Sequence, residues 1–292
     1  MKILDGKKTA NIIKQEIADE VIKLEKSGFK KPHLAAILVG NNGASETYVN
    51  AKVKACKIVG FKSTLIRFDV DVSEKELLSQ INEINYNKDI DGLIVQLPLP
   101  VHINETNIIE SILPSKDVDG FHPTNIGKMN LEIDTFLSAT PAGIIELLRR
   151  YNVQTAGKRC VVIGRSHIVG TPISVLMSRN TYPGNSTVTL THSRTKDLSE
   201  ITKKADILIV ALGKAEFITP DMIKEGVCII DVGITRVVSD KNKSGWKLLG
   251  DVAFDSVKQK CSFITPVPGG VGPMTIAMLL QNTLKSVQNS IS

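Results

Sequence analysis

Val161-Val162-Ile163-Gly164-Arg165-Ser166-His167-Ile168-Val169-Gly170 reads as a buried strand, a tight turn and the start of a helix. The spacing is G-x-S-x-x-x-G, not the G-x-G-x-x-G of the usual dinucleotide fingerprint. Its physics still suits a pyrophosphate. Gly164 permits the turn, Ser166 is small enough to let phosphate approach, and Gly170 allows close helix packing. The helix N-terminus adds free N–H groups and the positive end of a dipole. An ordinary βα turn has the same look, so the next strand carries the decision. That strand ends Thr191-His192-Ser193-Arg194, with no acid to hold a ribose diol. Arg165, Ser193 and Arg194 suit a 2′-phosphate, which an acid would repel. The pattern favours NADP over NAD, against the plain alternative of exposed polar loop residues.

The same strand-then-helix order runs outward from this point. Residues 33–39, 63–68 and 92–97 predict strands. Residues 45–59, closed by Gly60, and 73–86, opened by the capping box Ser73-x-x-Glu76, predict helices. A second series begins with Thr140 as N-cap and Pro141 at the first position of a helix to about residue 151. Strands at 159–163, 187–191, 207–212 and 227–232 follow, with helices at 169–178 and 196–204. A helix from 274 to about 287 closes the chain. This is βαβ grammar with mostly parallel sheets. The expected fold class is α/β, two α/β domains flanking a cleft, the second a Rossmann-like NADP-binding domain. The expected boundaries are 1–139, joined by the C-terminal helix 274–292, and 140–273. The last helix is expected to return to the first domain.

Composition narrows the class. The chain has 292 residues, 42% of them apolar and 23% charged, which is globular composition. It contains no uncharged apolar stretch of the roughly 18 residues that a membrane span needs. The formal charge is only +6, no basic run of five or more occurs, and aromatics are 4%. A nucleic-acid partner is therefore not expected. Cys56, Cys160, Cys228 and Cys261 form no C-x-x-C pair and sit in or beside apolar runs, so they read as core. A cytoplasmic location is the default, since residues 1–6 carry no leader pattern.

Several residues carry candidate chemistry. Tyr48 and Lys52 are spaced i, i+4 and share a helix face, a pair suited to proton transfer. Spacing alone equally fits a surface Lys beside a half-buried Tyr. Gln96 stands at the carboxyl end of a strand, where open α/β sheets bind ligands. Lys116-Asp117-Val118-Asp119-Gly120 places two acids in a loop, too few and too poorly spaced for calcium. Either can receive N–H donors from a heterocycle, or simply form a turn. In Pro266-Val267-Pro268-Gly269-Gly270-Val271-Gly272-Pro273 the glycines let backbone approach a flat ligand, a binding composition. The five histidines show no ligand spacing, so no metal is expected.

Together these strings resemble the bifunctional methylenetetrahydrofolate dehydrogenase/cyclohydrolase family in its stand-alone form. The resemblance rests on Tyr48-x-x-x-Lys52, Asp91 to Pro100, Lys116 to Gly120, Gly164-Arg165-Ser166 and Thr265 to Thr275, in order along the chain. It implies a folate-binding catalytic domain followed by an NADP domain, tetrahydrofolate derivatives as substrates, and a homodimer. It also implies one-carbon metabolism and purine biosynthesis as the setting. By similarity Lys52 is the central catalytic residue, Tyr48 orients the folate ring, Gln96 bonds Lys52, and Asp119 anchors the pterin. Pro268, Gly269 and Gly270 join these four on the substrate side. Gly164, Arg165, Ser166, Gly170, Ser193 and Arg194 hold the nucleotide, Gly233 and Ile234 touch its nicotinamide half, and Thr140 and Thr275 lie beside it. One departure is Ser138-Ala139-Thr140-Pro141, where the family commonly has Pro-Cys-Thr-Pro. His167 and Arg194 also stand where other polar or basic residues are frequent. The alternatives are a non-catalytic NADP- or folate-binding regulator on the same scaffold, and another two-domain NADP dehydrogenase. The first predicts loss of Tyr48, Lys52 or Gln96, and all three are present.

Overall fold

A computed structural model describes residues 1–239 and 245–291. The elements, in chain order, are β1 (Lys2–Ile3), α1 (Gly6–Lys26), β2 (His33–Val39), α2 (Gly43–Ile58), β3 (Lys62–Phe68), α3 (Glu74–Tyr86) and β4 (Gly92–Val95). Then come α4 (Glu105–Ser111), α5 (Pro123–Asn130), α6 (Ala139–Arg150), β5 (Arg159–Ile163), α7 (Gly170–Ser178), β6 (Thr187–Thr191), α8 (Leu198–Thr202) and β7 (Ile207–Val210). The chain closes with β8 (Val227–Asp231), β9 (Thr235–Val238), β10 (Trp246–Leu249), α9 (Phe254–Val257), β11 (Cys261–Ile264) and α10 (Val271–Ile291). It divides into two compact units: Met1–Ala10 with Thr140–Thr275, and Asn11–Ala139 with Ile276–Ser292.

The unit built on Asn11–Ala139 carries a parallel sheet in the order β3-β2-β4. The central strand β2 is buried at all seven positions, as its unbroken apolar run requires. Leu77, Ile81 and Ile84 of α3 recur at helical spacing and pack into the same core as Ile37, Leu93 and Val95. Asn42 caps α2 by accepting from Ala44 and Ser45 N–H, so the helix begins two residues before the expected start. Ser73 caps α3 through Glu76 N–H, as its capping box predicts. The end of α10 belongs to this unit. Asn282 Nδ2 donates to the Val118 and Leu137 carbonyls at 2.8 and 2.9 Å, and Ser286 Oγ to Asp91 O at 2.7 Å.

The other unit carries a six-stranded parallel sheet in the order β1-β11-β8-β7-β5-β6. After β5 the chain steps to β6 on one side and to β7 on the other. Ligands of such sheets bind outside the carboxyl ends of the strands at this switch point. β1 pairs with β11, and Leu4 N–H bonds Ile264 O at 2.8 Å. That pairing groups residues 1–10 with this unit, whereas the expected first domain begins at residue 1. Thr140 is not the expected N-cap. Helix α6 already includes Ala139, and the Thr140 hydroxyl instead meets Thr275 Oγ1 at 2.9 Å. Close passage of α6 and α10 depends on Gly143, where a Cβ would stand 2.9 Å from Met274 Cβ.

Candidate functional site

The residues nominated from sequence fall into two sets, one in each unit. In the unit of Asn11–Ala139, α2 turns Ser45, Val49, Lys52, Ala55 and Cys56 inward. Lys52 is only 6% exposed, whereas Lys54 and Lys57 face solvent. A lysine on the buried stripe needs polar company. Its Nζ donates to Gln96 Oε1 at 3.2 Å. Gln96 is held from both ends. Its backbone N–H extends the sheet ladder to Ile37 O at 2.9 Å, and its Nε2 donates to Leu97 O at 2.7 Å. With the amide nitrogen so used, the amide oxygen faces Lys52. Tyr48 lies one helical turn before Lys52, half-buried, and burial raises its phenol above the ordinary value.

The Lys116 to Gly120 loop separates its charges by role. Lys116 Nζ donates to the Ile84 and Asn87 carbonyls at the end of α3, both at 2.6 Å. Asp117 is buried and builds the turn, accepting from Gly120, Phe121 and His122 N–H and from Asn125 Nδ2. Among the described residues, only Asp119 of these three has a side chain without a hydrogen-bond partner. It lines a recess with Leu93, Leu97 and Phe121. Burial pushes its carboxyl above the usual range, the Asp117 charge adds to this, and the Lys52 cation opposes it. The two acids, equivalent in sequence, are thus distinguished by structure.

In the other unit, the turn after β5 is as tight as its glycines imply. Gly164 has φ +107°, and a Cβ there would lie 2.2 Å from Ala211 O. A Cβ at Gly170 would lie 1.9 Å from Gly164 O. Ser166 does more than stay small. Its Oγ accepts from Val169 and Gly170 N–H at 3.2 and 3.4 Å, so it occupies the first donors of α7 itself. Arg165 and Ser166 are exposed. Gly164 N–H bonds Thr191 O at 3.0 Å, so Arg165 and the segment after β6 leave neighbouring strand ends. The His192 to Thr195 bend is closed by His192 N–H to Thr195 Oγ1 and Arg194 N–H to His192 Nδ1, at 2.9 and 3.2 Å. Ser193 and Arg194 project from it exposed, with no carboxylate in the bend. This donor set and glycine cradle fit a phosphorylated dinucleotide.

The glycine loop before α10 departs from expectation. Gly270 is buried, and its close approach is made to the chain's own start. A Cβ at Gly6 would stand 1.8 Å from Gly270 O, and Lys7 N–H bonds Gly269 O at 2.8 Å. Pro268 is exposed and Gly269, at φ +108°, is half-buried. Gly233 is buried and donates to Asp231 Oδ1 at 3.0 Å, while Ile234 is 43% exposed. Asp231 and Asp251, absent from the sequence candidates, organise the loops here. The only trace they leave in sequence is a neighbouring glycine, in Asp231-Val232-Gly233 and Gly250-Asp251. All four cysteines are free and buried, and burial pushes Cys56 and Cys160 up to about 12, which removes them as nucleophiles.

Comparison with known proteins now bears on both sets. Residues 4–119 match the profile of the tetrahydrofolate dehydrogenase/cyclohydrolase catalytic domain, and residues 138–291 match that of the family's NAD(P)-binding domain. The chain belongs to the tetrahydrofolate dehydrogenase/cyclohydrolase family. A curated family member, Bifunctional protein FolD of Flavobacterium johnsoniae, is 64% identical over 284 residues, covering 97% of this chain and 96% of that one. The structure of the bifunctional dehydrogenase/cyclohydrolase FolD from Campylobacter jejuni superposes with TM-score 0.93 at 47% identity, covering 99% of both chains. The Trypanosoma brucei family member, solved with NADP cofactor and inhibitor, superposes with TM-score 0.93 at 36% identity, covering 98% of this chain and 97% of that one. The α/β class and the Rossmann-like domain agree with these likenesses.

Proposed function

We infer that this chain is a bifunctional one-carbon folate enzyme. It oxidises 5,10-methylenetetrahydrofolate to the 5,10-methenyl form with NADP+, then hydrolyses that product to 10-formyltetrahydrofolate. The observation that carries the reading is the buried Lys52 of α2, its Nζ bonded to Gln96 Oε1 at the end of β4.

NADP+, when bound, supplies the hydride acceptor for the methylene carbon. The residues that would hold it are Gly164, Ser166 and Gly170 at its pyrophosphate and Arg165, Ser193 and Arg194 at its 2′-phosphate. Gly233 and Ile234 would contact its nicotinamide half, with Thr140 and Thr275 beside the cofactor. The protein's part in the oxidation is placement, since no side chain need take a proton. Asp119 anchors the pterin by accepting its N–H groups, and Tyr48 orients the ring system. Pro268 and Gly269 contact the substrate, with Gly270 supporting them from beneath. The product is a cation spread over two nitrogens. Water adds to its central carbon, and ring opening then needs protons moved. Lys52 is the group placed to move them, with Gln96 fixing the direction of its Nζ and Tyr48 beside it.

The catalytic role falls to the unit of Asn11–Ala139, with Tyr48, Lys52, Gln96 and Asp119, and the cofactor role to that of Thr140–Thr275, which also carries the substrate residues Pro268, Gly269 and Gly270. A homodimer is supported by family resemblance, and sedimentation of the purified chain checks it. A cytoplasmic setting is supported by the four free thiols. Among the described residues, no helix is long and apolar enough to cross a membrane. The test of the catalytic assignment is Lys52→Met. Hydrolysis of supplied methenyltetrahydrofolate should fall by about 10²-fold or more. Full hydrolysis by a folded variant would overturn the role given to Lys52.

A further inference from the structure

Two buried aspartates shape the backbone at the carboxyl ends of β7 and β8. Asp251 is fully buried. Its Oδ2 accepts from Leu212 and Gly213 N–H at 2.6 and 2.9 Å, and its Oδ1 from Lys214 N–H at 2.7 Å. Asp231, 3% exposed, ends β8. Its Oδ1 accepts from Gly233 and Asp251 N–H at 3.0 and 2.9 Å, and its Oδ2 from Val252 N–H at 3.0 Å. Its own N–H is held by Thr265 Oγ1 at 2.7 Å.

The two carboxylates are interlocked through glycine. A Cβ at Gly233 would stand 2.2 Å from Asp251 Cγ, and a Cβ at Gly250 would stand 1.9 Å from Asp231 Oδ2. Gly233 therefore packs on the carboxylate that anchors residues 212–214, and Gly250 on the carboxylate that anchors Gly233, Asp251 and Val252. The brace also reaches the nucleotide turn. Ala211, next to the braced Leu212, is the residue whose carbonyl lies against Gly164. Burial, with the neighbouring Asp251 charge, pushes the Asp231 carboxyl up to about 7, although its N–H donors pull it down. Two acids kept together in the interior need a reason, since an apolar filler would avoid their desolvation. A carboxylate provides what an apolar residue lacks, several acceptor positions on one rigid plane.

We propose that Asp251, backed by Asp231, is a positioning residue for the cofactor. It sets the backbone after β7 and β8 in the shape that receives NADP and takes no part in the hydrolytic step. This rests on the cofactor reading above. It assigns those aspartates to recognition geometry and not to chemistry, since their oxygens are occupied by backbone donors.

The test uses Asp251→Ala, Asp251→Asn and Gly250→Ala in the full chain. NADP+ affinity is read by calorimetry, and hydrolysis of supplied methenyltetrahydrofolate is read in the same preparations. NADP+ binding should weaken by about tenfold or more in Asp251→Ala, which loses the anchored N–H groups, and in Gly250→Ala, whose Cβ would displace the Asp231 carboxylate. Asp251→Asn keeps one acceptor and should fall between these and the parent. Hydrolysis should be unchanged in the two Asp251 variants; Gly250→Ala is read for NADP+ binding alone, because its Cβ would also press on Val267 beside Pro268. Hydrolysis that declines in step with NADP+ binding would show a merely structural role and overturn the proposal. Unchanged NADP+ affinity in folded variants would overturn it as well. A parent protein that binds no NADP+ would instead remove the cofactor reading on which the proposal rests.

Discussion

Asp117 and Asp119 show what decides a residue's role when sequence treats two as alike. Both are loop acids two positions apart. Asp117 takes backbone donors and holds the turn, while Asp119 has no such donors and is left with a raised carboxyl pKa. Because the folded protein holds the Asp119 proton more tightly than the unfolded chain, this residue's contribution to stability is complete at low pH. It is lost as pH rises through its folded titration. Asp119→Asn should therefore unfold at higher denaturant than the parent at neutral pH. The gap should close below the ordinary Asp value of about 3.9. A gap independent of pH, measured by urea unfolding, would contradict a destabilising charge at Asp119. Lys52 makes the complementary point. Its spacing from Tyr48 was legible, but only its burial and Gln96 separate it from the solvated Lys54 and Lys57. Asp231 and Asp251 were illegible because their partners are backbone groups of other loops, and no local pattern encodes those.

Among the elements, the buried strands read well. The apolar runs of β2, β4, β5, β7 and β8 are bounded by glycine, proline or polar turns, and parallel strands covered on both faces need no alternation. β1 is two residues long and owes its existence to pairing with β11, so it offered no pattern. Helix α1 is not among the expected elements, although Ala10, Ile13, Ile17 and Val21 form a buried stripe at helical spacing. It lacks an acidic first turn, and its start is set by the close contact of Gly6 with Gly270. Turns depend on single residues more than helices do. Gly120 has φ +73°, and a Cβ would lie 2.7 Å from Leu137 C and Ser138 N. Gly120→Ala should cost about 1–2 kcal/mol in left-handed strain alone, before any clash. Urea unfolding should show at least that loss, with weaker folate binding because Asp119 shifts with the turn. An unchanged midpoint would contradict the contact.

At the scale of the molecule, the surplus of +6 finds a use in the proposed ligands. NADP+ carries phosphates and folate carries a glutamate tail, so a mild positive field favours their capture. The KM for NADP+ should rise as salt shortens the screening length toward about 8 Å near physiological ionic strength. A KM indifferent to salt would leave the exposed Arg165 and Arg194 without an electrostatic role. The division into two units, each with its own parallel sheet, makes the separation of roles testable in one assay. That assay mixes the purified chain with 5,10-methylenetetrahydrofolate and either NADP+ or NAD+, and follows methenyltetrahydrofolate by absorbance. The account predicts a methenyl signal that forms faster with NADP+ than with NAD+ and then decays as the same protein hydrolyses it. No methenyl signal, or equal efficiency with the two nucleotides, would contradict it.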